Sequence, residues 1–275
     1  MTNLGKRALT GAVLVLVITM AIYISHISFI LLILTINILA LLEFFRLFDS
    51  VEIVPQKITG LILSVSVLLT NTLCIIGSGD WKILLINIPI AFFIFINELY
   101  LKAKNPFQNI AFTFLGIIYI TIPLCLFINI SFLPPGSHMY HFQAVLGCFF
   151  ILWASDTGAY FTGRYFGRHL LFERISPKKT WEGSLGGTVC ALLVSYLTSL
   201  YFTEINAVHW IIIALIIVVT GTFGDLVKSL MKRSLNLKDS GTILPGHGGM
   251  LDRFDSLLGS APFVFSYLIL FRYAS

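Results

Sequence analysis

The chain has 275 residues, of which 57% are hydrophobic and only 11% are charged, and its mean hydropathy is +0.92. Soluble globular proteins carry about 25% charged residues, so this composition excludes an ordinary soluble domain and predicts an integral membrane protein. The formal net charge of +5 does not indicate nucleic acid as a partner, because the basic residues flank apolar segments, where membrane topology and anionic ligands account for them.

The apolar segments predict an all-α, polytopic membrane protein with about nine transmembrane helices. Each segment has roughly 17 to 25 residues, which is enough to cross a bilayer core of about 30 Å. The predicted limits are 9–25, 28–48, 58–77, 82–100, 108–132, 142–163, 183–203, 208–231 and 256–272. We divide the chain into an N-terminal region, 1–140, with about five spans, and a C-terminal region, 141–275, with the remaining spans and the more polar loops.

Lysine and arginine are distributed unequally between the two ends of these spans. If the N-terminus is cytoplasmic, sixteen of the 18 basic residues lie on the cytoplasmic side, and only Lys82 and Arg272 lie outside. This bias follows the positive-inside rule and supports an odd number of spans. It predicts a multi-pass protein of the bacterial inner or plasma membrane, with the loops 164–183 and 225–256 facing the cytoplasm, where nucleoside triphosphates are found.

The N-terminal spans carry few ionisable groups. Glu43, Arg46 and Asp49 lie near a cytoplasmic helix end and are predicted to be solvated at the membrane interface. Glu98 and Lys102, spaced i, i+4, are predicted to form a similar interfacial pair. These residues therefore carry no functional prediction.

Polar side chains with a regular spacing begin in the sixth span. Asp156, Tyr160 and Arg164 are spaced i, i+4, i+8 and share one helix face. An ionisable group within a span indicates function by default, although an internal ion pair between Asp156 and Arg164 is a structural alternative. In the next loop, Lys178 and Lys179 are suited to binding a triphosphate, but topology alone also produces short basic loops.

The stretch 225–256 concentrates charged residues in an otherwise apolar chain. Asp225, Ser229 and Lys232 are spaced i, i+4, i+7 and lie on one face of a predicted helix. Pro245 and the glycines that follow it interrupt helical structure. A second helix is predicted to begin near Leu251.

Carboxylates and cations alternate through the same stretch. Asp252 and Asp255, at i and i+3 in the second helix, join Asp225 as hard oxygen ligands of the kind that Mg2+ prefers. The positive charges available for phosphates are Lys228, Lys232, Arg233, Lys238 and Arg253. This mixture is typical of phosphoryl and nucleotidyl transfer, and ordinary ion pairs between two membrane helices are the alternative.

The order of these residues resembles a known motif. It runs Ser229-x-x-Lys232-Arg233, Lys238-Asp239, Pro245-Gly246-x-Gly248-Gly249 and Asp252-Arg253-x-Asp255, and it is similar to the motif of the phosphatidate cytidylyltransferases (CDP-diacylglycerol synthases). The segments 176–183 and 156–164 are similar to the same family. The resemblance covers roughly residues 150–260, whereas the first 140 residues resemble the family only in being a series of spans.

The resemblance implies transfer of CMP from CTP to phosphatidate, giving CDP-diacylglycerol and pyrophosphate in phospholipid biosynthesis, and it makes 141–275 the catalytic region. It implies catalytic roles for Asp225, Asp252, Lys232 and Arg233. The implied substrate-binding residues are Ser176, Lys178, Lys179, Thr180, Glu182, Ser229, Lys238, Asp239, His247 and Arg253.

The predicted ligands of a catalytic Mg2+ are Asp225 and Asp252, then Asp255, with Asp156 as a further candidate, and the prediction leaves room for a second cation. The predicted partners are CTP, phosphatidate and the bilayer, with no nucleic acid, and a homodimer is left open.

Two other functions remain as alternatives. A CTP-dependent lipid kinase could share a similar cytidine-nucleotide site. An ion transporter could use Asp156 and Asp225 as ion sites, but it favours charges near the bilayer midplane, whereas these cluster at the cytoplasmic end. A CDP-alcohol phosphotransferase is disfavoured because its Asp-Gly-x-x-Ala-Arg motif is absent from the sequence.

Overall fold

The computed structural model describes residues 3–49, 52–237, 241 and 248–272, with side chains from Thr10 onward. Two compact units make up the chain. The first comprises Met1–Tyr140 and Ser234–Phe254, and the second comprises His141–Arg233 and Asp255–Ser275.

Helices form the first unit. They are α1 (Asn3–Ile24), α2 (His26–Arg46), α3 (Lys57–Ile75), α4 (Asn87–Leu101), α5 (Pro106–Gly116) and α6 (Ile122–Ile130). A 3-10 helix, Trp81–Ile86, leads into α4, and a π-helical segment, Ile117–Thr121, joins α5 to α6. Pro123 follows this segment and explains it, because proline lacks an N–H and its ring displaces the carbonyl one turn earlier.

The core of the first unit combines aromatic packing with hydrogen-bonded polar side chains. The rings of Phe48 and Phe112 lie 4.3 Å apart between centroids. Asn37 donates to the Ser64 hydroxyl at 2.7 Å, and Ser64 in turn lies 2.8 Å from the Thr121 hydroxyl. Such networks satisfy polar groups among apolar helices and fix how the helices pack.

Helices and one small hairpin form the second unit. The elements are α7 (Phe142–Phe166), β1 (Leu170–Phe172), β2 (Ser176–Thr180), α8 (Trp181–Tyr201), α9 (Ala207–Ser234) and α10 (Leu251–Tyr267), with a π-helical end at Leu268–Arg272. The last residue of α9, Ser234, and the first four residues of α10, 251–254, belong to the first unit. Trp210 of α9 is fully buried against Gly147 of α7, where a methyl group would overlap the indole ring.

Eight helical segments in the described part of the chain are long and apolar enough to cross a membrane. They are His26–Arg46, Lys57–Ile75, Trp81–Leu101, Pro106–Ile130, Phe142–Phe166, Trp181–Tyr201, Ala207–Ser234 and Leu251–Arg272. The helix α1, Asn3–Ile24, has 22 residues, and its side chains are described over the apolar part Thr10–Ile24. The polytopic all-α prediction is therefore confirmed, but the count of nine spans is not.

Three local predictions differ from the structure. The loop predicted before residue 183 contains the antiparallel hairpin β1–β2, in which Leu170 pairs with Thr180 and Phe172 with Ser176. Glu43, predicted to be solvated, is 1% exposed. Glu98, predicted to be interfacial, is buried and accepts hydrogen bonds from Gln56 and Asn109 at 2.5 and 2.8 Å. Periodicity places a residue on a helix face, but it does not show which face a neighbouring helix covers.

Candidate active site

The helices α9 and α10 approach each other closely where glycines face each other. A methyl group on Gly224 would lie 2.7 Å from the backbone oxygen of Asp255 and 2.9 Å from the Cα of Gly259. Contacts this short with backbone atoms cannot be relieved by a side-chain rotation, so only glycine permits this approach. The close approach places Asp225, the residue after Gly224, beside the backbone of Asp255.

A cluster of two carboxylates and two lysines forms at this crossing. The Lys179 Nζ lies 2.7 Å from Asp225 Oδ2, and the Lys228 Nζ lies 3.4 Å from Asp225 Oδ1. Lys228 also forms a short ion pair with Asp255, and the two carboxyl groups lie within hydrogen-bonding reach of each other. Lys228 is 4% exposed and Asp255 is 7% exposed. Lys228 and Asp255 stabilise each other, because burying either charge without a partner would strongly destabilise the folded protein.

Hydrogen bonds orient both carboxylates. The Ser256 N–H donates to Asp255 Oδ1 at 2.7 Å, and the Ser229 hydroxyl donates to Asp225 Oδ1 at 3.4 Å. The second contact confirms that Asp225 and Ser229, predicted to share a helix face, lie together. Ser229 therefore supports Asp225 in this structure.

The hairpin delivers Lys179 to the cluster. The strand β2 ends at Thr180, whose hydroxyl accepts the Gly183 N–H at 3.1 Å and caps the N-terminus of α8. Threonine is a favoured residue at this position because its side chain satisfies one of the unpaired N–H groups of the first turn. The cap fixes the junction between α8 and the strand that carries Lys178 and Lys179.

A cavity of about 470 Å³ opens beside this cluster. Its charged and polar lining includes Asp156, Tyr160, Arg164, Lys178, Lys179 and Asp225. Tyr160 and Arg164 lie on α7, and the Arg164 guanidinium donates to the Tyr160 hydroxyl at 3.2 Å. The structure thus brings together residues of α7, β2 and α9, and the sequence analysis identified site candidates in each of these segments. With cations on two walls, the cavity suits an anionic ligand.

Other predicted site residues lie outside the lining of this cavity. Glu182 accepts hydrogen bonds from the backbone N–H groups of Arg168 and His169 and lies 2.6 Å from the His169 ring. It joins the start of α8 to the segment before β1, and its contact with substrate stays a prediction. Ser176 begins β2 opposite Phe172, and Lys232 and Arg233 lie in the last turn of α9.

Asp252 and Arg253 belong to the first unit. The helix α10 begins at Leu251, as predicted, so both residues lie in its first turn. Asp252 accepts a hydrogen bond from the Gly249 N–H at 3.4 Å, which ties it to the glycine segment before the helix. Lys238, Asp239 and His247 lie outside the described residues.

The donor set fits a magnesium ion that keeps water and substrate oxygens as ligands. Within the described residues there is no group of three or more histidine, cysteine, aspartate or glutamate side chains that could hold a metal. Asp225 and Asp255 provide two adjacent carboxylates, and Mg2+ is commonly bound through one or two carboxylates together with phosphates and water. The role of Asp225, Asp252, Asp255 and Asp156 as Mg2+ ligands stays a prediction.

The structure gives Lys228 contacts that the sequence analysis did not predict. It was grouped with the cations available for phosphates, and it lies buried with ion pairs to both Asp225 and Asp255. The spacing of Lys228 from Asp225, i and i+3, was a usable signal for their contact. The contact with Asp255 depends on the crossing of α9 and α10, which no local spacing reveals.

Comparison with known proteins identifies the family. The model of the cytidylyltransferase family matches residues 5–271. The phosphatidate cytidylyltransferase of Bacillus subtilis (strain 168) is 33% identical over 272 residues, which cover 98% of this chain and 100% of that protein. The phosphatidate cytidylyltransferase of Staphylococcus aureus (strain COL) is 37% identical over 238 residues, covering 85% of this chain and 88% of that protein. That of Staphylococcus haemolyticus (strain JCSC1435) is 38% identical over 198 residues, or 70% and 73% of the two chains. These similarities confirm the resemblance that the motifs indicated, and the chain belongs to the cytidylyltransferase family.

Proposed function

We propose that this chain transfers CMP from CTP to phosphatidate, giving CDP-diacylglycerol and pyrophosphate. The names of its relatives support both substrates. The observation that carries the proposal is the cluster of Asp225, Asp255, Lys179 and Lys228 beside a cation-lined cavity. Nucleotidyl transfer requires such a combination, because charge must be neutralised on both the phosphates that react and the pyrophosphate that leaves.

Lys178 and Lys179 are the proposed contacts for the CTP phosphates. Both line the cavity, and Lys179 is held at its wall by the ion pair with Asp225. An ammonium group that is already oriented loses less conformational freedom when an anion binds. Lys232 and Arg233 are the predicted further contacts, from the last turn of α9.

Asp225 and Asp255 would hold Mg2+, with Asp252 as the further predicted ligand. When bound, the ion would stabilise negative charge on the phosphate oxygens. Lys228 limits the repulsion between the two aspartates, since it contacts both. Its burial keeps it in place as a fixed counter-charge.

The reaction needs no general base. An oxygen of the lipid phosphate attacks the α-phosphorus of CTP, a new P–O bond forms, and the bond between the α- and β-phosphates breaks. The electron pair of that bond leaves with pyrophosphate. Because the lipid phosphate is already an anion at neutral pH, no proton has to be removed before the attack.

The site is proposed to face the cytoplasm. The bias of Lys and Arg toward one end of the spans supports this orientation. The many apolar helices and the bacterial relatives support a multi-pass protein of a bacterial inner or plasma membrane. CTP would then enter from the aqueous side, and the lipid from the bilayer.

One assay tests the proposal. Purified protein in detergent is incubated with CTP, Mg2+ and phosphatidate, and products are identified by mass spectrometry. The proposal predicts CDP-diacylglycerol and pyrophosphate in equal amounts, and neither product when phosphatidate is omitted. CDP together with a newly phosphorylated lipid would instead assign the chain as a CTP-dependent lipid kinase. If the protein instead carries ions into liposomes without CTP and forms no nucleotide product, the chain would be assigned as a transporter.

A further inference from the structure

Glu43 is a buried carboxylate far from the catalytic motifs in sequence. It lies in the last turn of α2, next to the aromatic residues Phe44 and Phe45, and is 1% exposed. Burying a carboxylate in such surroundings is costly unless its oxygens receive hydrogen bonds or face positive charge. Its contacts therefore indicate what the side chain does.

One oxygen of Glu43 binds the start of α10. Glu43 Oε2 accepts the Leu251 N–H at 2.8 Å, across 208 residues of sequence. Leu251 is the first residue of α10, and its N–H belongs to the group that a helix leaves unpaired at its N-terminus. A carboxylate at this position is also stabilised by the positive end of the helix dipole.

The other oxygen of Glu43 faces Gly241. Glu43 Oε1 is buried and has no hydrogen-bond partner among the described residues. A methyl group built on Gly241 would lie 2.7 Å from this oxygen, and its three nearest neighbours would all be atoms of Glu43. Glu43 thus contacts both Gly241 and Leu251, the first residue of α10.

We propose that Glu43 is a positioning residue for the first turn of α10. By accepting the Leu251 N–H and packing on Gly241, it would set the placement of Asp252 in that turn. The inference rests on the proposed function only through the metal-binding role given to Asp252. It also gives α2, in the N-terminal half of the chain, a part in placing one of the predicted Mg2+ ligands.

Three variants test the contact with Leu251. Glu43→Ala removes both oxygens, and Glu43→Gln keeps an oxygen that can accept the Leu251 N–H. The matched control is Glu98→Gln, since Glu98 is a buried glutamate of the same unit, 4% exposed, with amide partners elsewhere. All three proteins are compared with the unchanged chain in detergent by size-exclusion profile before further measurement.

The first readout is hydrogen exchange without nucleotide or metal. In Glu43→Ala, amide exchange in the peptide covering 248–256 is expected to accelerate about fivefold to tenfold, in proportion to one lost hydrogen bond at the helix start. Glu43→Gln should exchange less than about twofold faster. Glu98→Gln should leave this peptide unchanged.

The second readout separates positioning from general damage. In Glu43→Ala, the Mg2+ concentration that gives half-maximal formation of CDP-diacylglycerol is expected to rise about tenfold, because Asp252 loses its placement. The KM for phosphatidate should stay within about twofold. Glu98→Gln should not change the Mg2+ requirement, even if it lowers the yield of folded protein.

A double-mutant cycle tests the contact with Gly241, and its Gly241→Ala single variant also covers the case in which Glu43→Ala does not fold. Gly241→Ala alone should push the carboxylate away and raise the Mg2+ requirement about as much as Glu43→Ala does. In the Glu43→Ala background, Gly241→Ala should add less than about a twofold change, because there is no carboxylate left to displace.

Several outcomes would overturn the inference. Unchanged exchange in 248–256 together with a normal Mg2+ requirement in Glu43→Ala would do so, as would an equal effect of Glu98→Gln. If Glu43→Ala does not fold, a Gly241→Ala protein with a normal Mg2+ requirement and normal exchange would also overturn it. If the unchanged chain makes no CDP-diacylglycerol, the proposed function fails, and hydrogen exchange still decides whether Glu43 holds the start of α10.

Discussion

Lys228 and Asp255 form an ion pair that is almost completely removed from solvent, with exposed fractions of 4% and 7%. The two residues lie on α9 and α10, 27 positions apart in sequence. Lys228 also contacts Asp225, which pairs with Lys179 as well, so two ammonium groups balance two carboxylates. The pair therefore fixes how the two helices place their acidic side chains.

Removing the charge of Lys228 should destabilise the protein. Lys228→Met keeps most of the side-chain volume but leaves buried carboxylates without this partner, and we expect a loss of about 3 to 5 kcal/mol in the free energy of unfolding. Unfolding by titration with sodium dodecyl sulfate measures the change. The control is Lys57→Met, which breaks an exposed 2.8 Å pair with Asp49 and should cost below about 1 kcal/mol. Equal losses in the two variants would contradict a special role for the buried pair.

Neutralising the proposed metal ligands should abolish turnover. Asp225→Asn and Asp252→Asn keep the size of the side chain and remove its charge, and we expect kcat to fall at least about 100-fold in each. Both proteins should still insert in the membrane and elute normally from size exclusion. Asp49→Asn, at an exposed position, serves as the control. Near-normal kcat at ordinary Mg2+ in either variant would remove that aspartate from the site.

Lys179 should affect the nucleotide more than the lipid. Because Lys179 lines the cavity beside Asp225, we expect Lys179→Ala to raise the KM for CTP about tenfold, through loss of a charge-assisted contact with phosphate. The KM for phosphatidate should change less than about twofold. Steady-state kinetics with each substrate varied in turn measure both values, and Lys104→Ala, at an exposed pair, is the control. A selective rise in the KM for phosphatidate would assign Lys179 to the lipid headgroup instead.

Two glycines of α9 should respond differently to the same substitution. A methyl group on Gly224 would meet backbone atoms of α10 at 2.7 and 2.9 Å, whereas one on Gly221 would have an ordinary 3.4 Å contact with Ser256. We therefore expect Gly224→Ala to cost about 1 to 3 kcal/mol of stability and to reduce activity, because the helices must separate. Gly221→Ala should cost under about 1 kcal/mol. Comparable tolerance at both positions would show that the crossing adjusts easily.

The orientation of the chain can be tested by cysteine labelling on intact cells. In a background with the four native cysteines replaced, a membrane-impermeant maleimide should label Met139→Cys from outside and should not label Arg174→Cys. Both side chains are exposed, the first before α7 and the second in the turn between β1 and β2. Labelling of Arg174→Cys without permeabilisation would reverse the topology and place the proposed nucleotide site on the wrong side for CTP.

The sequence by itself determined the class of the protein, most of its helices and the composition of its site. Length and hydropathy are local properties, so they located the eight spans that the structure bears out and the start of α10 at Leu251. Spacing along one helix predicted that Asp225 and Ser229 share a face, and the two residues are in contact. The order of the motif residues indicated the family, because a motif is defined by residue types and spacing and can be recognised without a structure.

Only the tertiary structure decided which of these side chains meet. The contact of Lys228 with Asp255 depends on the glycines that let α9 and α10 approach, and the burial of Glu43 depends on a partner 208 residues away. Glu182, predicted to bind substrate, also accepts hydrogen bonds from the backbone of Arg168 and His169, a contact that its position in the sequence does not reveal. A helical repeat defines a face but not the element that packs on it, and the packing decides whether a charged group is a solvated side chain, a counter-ion or a ligand.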